Sequence, residues 1–206
     1  MKVPSADTVS ARIPLLLRAL ICGLVLCGAL LWIVQGRAMI LRDGTEIRLR
    51  TAPVDPRDLF RGDYVVLSYG ISTVAPANAE AAAALQRGST AYVRLRPCAD
   101  GFMEPVSASP SRPAASEGDV VIAGRVTAAG VCATSEDGRA DCAQPRRFIR
   151  IAYGLESYFV PQGQGLAIER TERARIEVVA AVAPSGQAAI KRLLIDGRFV
   201  HAEPPY

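Results

Sequence analysis

Histidine is almost absent. His201 is the only one in 206 residues, and no cluster of Cys, Asp or Glu has metal-ligand spacing. A histidine metal site, a Ser–His dyad and a Cys–His dyad would each have to use that one imidazole, in the segment ending Pro204-Pro205-Tyr206, so all three fall with it. A lone histidine there is expected to be exposed. Charge of one sign is scarce too. The formal net charge is +4, half of it supplied by Lys2, Arg12 and Arg18 against Asp7. The remaining basic residues are dispersed instead of clustering with aromatics, which excludes a nucleic-acid groove. No Gly-rich phosphate loop is present, so neither a cofactor nor a metal is implied.

What is present is a chain 50% apolar and 21% charged, which rules out a disordered or collagen-like protein. Its length suits one domain with an appendage and is short of two. Ala19–Val34 runs without a charge, and Ile13–Leu17 lengthens that run past Arg18. A bilayer core of about 30 Å takes about 20 helical residues. Residues 13–34 are therefore expected to form a transmembrane anchor, with Arg18 snorkelling to the headgroups and Trp32 at the opposite interface. Residues 1–12 become a cytoplasmic tail and 35–206 a single body outside the membrane. A cleaved signal peptide, with Val34 and Gly36 before the cut, is the competing reading. The apolar run exceeds the roughly 7–15 residues of a signal core, which favours the anchor. The positive-inside rule does not orient it, because Arg37, Arg42, Arg48 and Arg50 follow the run as closely as the tail's cations precede it.

Ala19, Gly23 and Cys27 recur every fourth residue, a small-residue stripe along which another membrane helix can approach closely. Cys22 and Cys27 lie in the span. Cys132 and Cys142 bracket a polar loop, where a disulfide would close a hairpin end and contribute about 2–3 kcal/mol. That pairing favours an oxidising compartment, with two unrelated thiols as the alternative; Cys98 is left over in both cases.

The body is expected to be mainly β. Glu46–Arg50 and Tyr92–Arg96 alternate apolar with polar residues, and 119–126, 147–153, 173–182 and 188–195 are rich in Val, Ile and Leu. Pro184-Ser185-Gly186 reads as the turn joining the last two runs. A mostly antiparallel sheet or small barrel follows, with one short helix at 78–87 stopped by Gly88 and a surface loop over 107–116.

The most informative stretch is 54–72. Asp55 reads as an N-cap, Pro56 as the first helical residue, Asp58 as a first-turn carboxylate and Gly62 as a left-handed stop. From Tyr64 the period becomes two, so the turn is expected to deliver a central strand, with Asp63 accepting backbone N–H bonds at the transition. Three carboxylates gathered round calcium is the alternative, but their spacing lacks the pattern of an EF-hand loop. Gly62, Asp63, Tyr64, Leu67 and Tyr69 fill every fixed position of Gly-Asp-Tyr-x-x-Leu-x-Tyr, and the chain resembles the bacterial GDYXXLXY family. The approach Asp55, Pro56 and Asp58 is similar to that family too, as is Tyr153-Gly154-Leu155-Glu156 with the residues after it. The resemblance spans roughly 40–202. It implies a membrane-anchored bacterial protein of the inner membrane, its body periplasmic or otherwise outside, commonly encoded beside a multi-pass membrane protein. It implies no catalytic residue.

An envelope hydrolase resembling signal peptidase is the alternative from another class. Its Ser-x-Met box has no counterpart, since Arg37 precedes Met39 and Gly101 precedes Met103, and only Lys191 is offered as a base. Tyr64, Tyr69, Tyr153, Tyr158 and Phe159 could form an aromatic recognition surface, but alternating strands usually turn such residues into the core. The sequence thus points to a non-catalytic interaction module whose partners are the lipid bilayer and a multi-pass membrane protein.

Overall fold

The computed structural model describes residues 14–52, 64–130, 133–134, 140–141, 147–159 and 175–202. The chain divides into two compact units, Met1–Met39 and Ile40–Tyr206. The first unit holds most of helix α1, Leu15–Asp43. Pro14 stands just before it, where its missing N–H costs nothing, and its carbonyl accepts from Leu17 and Arg18. Leu24, Val25 and Leu26 are exposed in succession, as are Leu30 to Val34. The helix is therefore apolar all round, as a bilayer-embedded helix is. It is long and apolar enough to cross a membrane, a test that an N-terminal signal sequence also passes. The apolar run stops at Val34 while the helix continues through Gln35, Gly36 and Arg37, none of which forbids helical geometry.

In the second unit Gly44 ends the helix, donating its N–H to the Ile40 carbonyl at 3.0 Å. Strand β1 (Thr45–Ala52) follows at once. Its partner β12 (Ile176–Val182) leads through the turn at Pro184-Ser185-Gly186 into β13 (Ala188–Ile195) and then β14 (Arg198–Ala202). Gly186, at φ +92°, supplies the left-handed residue that this turn needs. With β3 (Ser68–Tyr69) these make an antiparallel sheet ordered β14-β13-β12-β1-β3. The second sheet runs β4-β10-β7-β5-β6, built from Thr73–Val74, Phe148–Ala152, Val120–Gly130, Thr90–Pro97 and Met103–Ser109. Residues after β4 return to its far edge. Ala77 donates to the Ala108 carbonyl and Ala108 to that of Ala75, at 2.9 and 3.0 Å. A parallel bridge between Pro76 and Ala108 thus nearly closes the sheet into a barrel.

One apolar core serves both sheets. Ile47, Leu49, Val178 and Leu193 from the first meet Val93, Leu95, Ile122, Val126, Ile149 and Ile151 from the second. Each such side chain, fully buried, contributes about 1.5–3 kcal/mol relative to exposure. The expected alternation in β1 and β5 is therefore present, and the mainly antiparallel β architecture with few helices is observed.

Three local expectations need correction. The helix α2 is only Ala79–Ala84, with the Asn78 side chain accepting from the Ala81 N–H at 2.7 Å. Leu85, fully buried, turns into the core and ends the helix before Gly88. Strand β6 occupies the start of the anticipated 107–116 loop. Pro105 had hidden it, and a bulge in the β5 pairing between Arg94 and Leu95 accommodates that proline. The stretch after Tyr64 is no central strand. It is cut into β2 (Tyr64–Val66), β3, a 3-10 turn at Gly70–Ser72 and β4. Beta2 pairs with β11 (Ser157–Phe159), β3 borders the first sheet and β4 borders the second. Its inward positions Leu67, Tyr69 and Ile71 are nevertheless buried as the period of two required. The segment stitches two sheet edges together.

Candidate functional site

Two stretches far apart in sequence, 64–72 and 153–158, clasp each other. Their backbones pair through β2 and β11, Tyr64 opposite Phe159. The Leu67 N–H then donates to the Glu156 carbonyl at 2.8 Å. The side chains cross reciprocally. The Tyr69 hydroxyl donates to the Leu155 carbonyl at 2.6 Å, and the Tyr153 hydroxyl donates to the Ile71 carbonyl at 2.7 Å. Each phenol thus satisfies a carbonyl where the strand is broken and no ladder partner exists.

Gly154 makes the geometry of the second stretch. At φ +76° it adopts a left-handed conformation. The Glu156 carboxylate accepts from the Tyr153 N–H at 2.6 Å and the Gly154 N–H at 2.9 Å. Burial, and secondarily the negative charge of Glu156, push the phenols of Tyr69 and Tyr153 well above the usual tyrosine range. Both stay neutral donors. Replacing Glu156 by alanine strips two N–H groups of their acceptor and is expected to cost about 1–3 kcal/mol. Thermal unfolding should show Glu156→Gln, which keeps one oxygen acceptor, losing less.

Tyr158 extends the clasp. Its hydroxyl lies 2.6 Å from His201 Nδ1, and the rings meet edge to face with centroids 5.5 Å apart. His201 is half-buried in β14, contrary to the exposed position expected of it, because the edge strand folds back over Tyr158. Of the five aromatics considered as a recognition surface, Tyr69, Tyr153 and Tyr158 are buried in the core. The side chains of Tyr64 and Phe159 are outside the described residues.

The arrangement is one of structural bonds. Lys191, the candidate base, donates to Glu46 at 2.7 Å, and Arg192 donates to the other oxygen of that carboxylate at 2.5 Å. The hydrogen bond from Lys191, with the positive charges beside it, holds the Glu46 carboxyl below the usual glutamate range. Ser68 lies in β3 opposite Ala52. Among the described residues no group of three or more His, Cys, Asp or Glu is placed to hold a metal ion.

The other residues singled out from sequence divide as follows. Asp55, Pro56, Asp58, Gly62 and Asp63 lie outside the described residues, as do Cys132 and Cys142. Beside those cysteines, β8 (Ala133–Thr134) and β9 (Ala140–Asp141) pair antiparallel. Cys98 is half-buried, its thiol pushed up chiefly by a hydrogen bond with Glu104. Ala19, Gly23 and Cys27 are exposed on α1, and a Cβ added at Gly23 would meet nothing within 4 Å. Sequence reasoning missed the Tyr158–His201 pair, since the sequence separation of 43 residues gives no signal of contact.

The family model described as GDYXXLXY protein matches residues 26–193. No curated protein and no solved structure matches the chain.

Proposed function

Because the chain belongs to the GDYXXLXY family, we propose that it is a non-catalytic interaction module, tethered by α1 in the bacterial inner membrane with its β unit outside the cytoplasm, whose partner is a multi-pass membrane protein. The observation that carries this reading is the exposed, all-round apolar surface of Leu16 to Val34. Such a surface is stable only against lipid or another apolar helix. The stripe Ala19, Gly23 and Cys27 lies on that helix, and a small-residue stripe is where close helix packing is cheapest. The groups with catalytic potential in the β unit support the same reading, because Lys191, Glu156 and His201 are each engaged in a structural contact.

The test is co-purification of the tagged full-length protein from membranes in mild detergent. The wild type is expected to bring down a multi-pass membrane protein, and Gly23→Leu to lose most of it while remaining in the membrane fraction. Intact mass of the membrane-bound form should retain residues 1–34. Recovery of a soluble, processed form lacking them would overturn the anchor. Labelling by a serine-reactive fluorophosphonate that disappears in Ser68→Ala would overturn the non-catalytic assignment.

A further inference from the structure

A cleft of about 400 Å³ opens in the β unit between the outward face of β1, β12 and β13 and the ends of β5, β6 and β7. That volume lies in the range of small-molecule sites, roughly 300–1,000 Å³. Its apolar lining includes Met103, Val120 and Val179, and its charged lining is Glu46, Arg48 and Arg192. Strand register explains the placement. Val179 stands opposite Arg48 on one side and opposite Arg192 on the other. Directly paired residues share a face, so an apolar strip is flanked by two guanidinium groups.

Both cations are positioned and neither is fully used. Arg48 donates one Nη2 bond to Glu177 at 2.6 Å and lies over the Phe102 ring, 4.9 Å from its centroid. Its Nε is shielded from water and has no hydrogen-bond partner among the described residues. A buried donor left this way costs free energy and calls for an acceptor. On the other side of the strip, Arg192 and Lys191 share the single carboxylate of Glu46, which among the described residues leaves one positive charge in surplus. Arginine's planar fork is suited to carboxylate and phosphate oxygens.

We propose that this cleft binds a small amphiphilic oxyanion, a carboxylate or phosphate joined to a short apolar body. The head meets the guanidinium groups and the body lies on Val179, Met103 and Val120. Glu46 acts as an internal competitor, occupying Arg192 and Lys191 until the ligand arrives. This site is independent of the helix-mediated partnership proposed above.

Calorimetric titration of the full-length protein in a neutral detergent tests it, with hexyl phosphate, hexanoate, hexanol and inorganic phosphate as probes. One saturable site is expected for hexyl phosphate or hexanoate, the tighter of the two identifying the head group. Inorganic phosphate is expected to bind about tenfold more weakly, and hexanol not at this site. Arg48→Gln and Arg192→Gln should each weaken the anion about tenfold. Glu46→Gln should instead tighten it several-fold by releasing two cations, a change that a folding defect cannot imitate. The proposal is overturned if neither anion saturates, if hexanol binds as well as they do, or if Glu46→Gln weakens binding.

Discussion

Gly124→Ala is expected to destabilise the β unit by about 1–3 kcal/mol or more, the largest effect of any single methyl group considered in this chain. Gly124 lies in β7 where β10 and the Tyr153 turn press against it. A Cβ there would stand 2.4 Å from Ile151 Cγ2, 2.7 Å from the Ala152 carbonyl oxygen and 2.9 Å from a Tyr153 ring carbon. The oxygen belongs to the backbone and the Ile151 methyl branches directly from Cβ, so neither can swing aside. Relief would require β10 to shift away from β7, and with it the clasp that Tyr153 makes. In a chain of this size each kcal/mol lowers Tm by about 2–4 °C. Differential scanning calorimetry should therefore show a clear fall, with Gly124→Val worse still. Gly23→Ala, in open space on α1, should leave the β-unit transition unmoved. Equal transitions in Gly124→Ala and wild type would refute the close packing of β7 on β10.

The second large effect is alkaline. Tyr69 and Tyr153 have their phenol pKa raised on folding by burial and by the charge of Glu156. In the unfolded chain a tyrosine ionises near pH 10. Below that value both states hold the proton and stability does not depend on these groups. Above it the unfolded state releases protons that the folded state retains, so stability falls as pH rises. The expected slope is about 1.4 kcal/mol per pH unit for each ring. Denaturant titrations between pH 9 and about 12 should show this loss. Tyr69→Phe and Tyr153→Phe each leave a buried carbonyl unpaired and start about 1–3 kcal/mol less stable at neutral pH. Each should nevertheless remove its own share of the alkaline slope. A wild-type stability flat across that range would mean that these hydroxyls are not buried.

How much of this was legible in the sequence depended on the range of the interaction responsible. The strands β1 and β5 announced themselves by alternation and β13 by its apolar run, because such patterns are a property of neighbouring residues that a packed sheet imposes directly. The turn at Pro184-Ser185-Gly186 did so for the same reason. Strand β6 was hidden because Pro105 argues locally against a ladder, and only a bulge at the neighbouring Val106, where β6 carries one residue more than β5, makes room for it. The family motif was legible as a pattern of residue types, yet its reading as a central strand did not survive. Leu67, Tyr69 and Ile71 do point inward, but whether a strand lies at the middle or the border of a sheet is set by what pairs with it. The cleft at Arg48 and Arg192 was invisible, because it exists through the register of β1 against the β12–β13 hairpin, more than a hundred residues further along the chain.

The amino-acid order alone determined that an apolar helix precedes a β body, that one imidazole leaves little room for histidine chemistry, and to which family the chain belongs. The first two follow from composition and short-range periodicity, and the third from a motif of fixed residue types matched over residues 26–193. Only the tertiary structure decided that the motif joins two sheets, that Tyr69 and Tyr153 close each other's broken ladders, and that His201 is held by Tyr158. The reason is physical: a buried hydroxyl or carbonyl must find a partner in space, and no local rule specifies which distant residue will supply it.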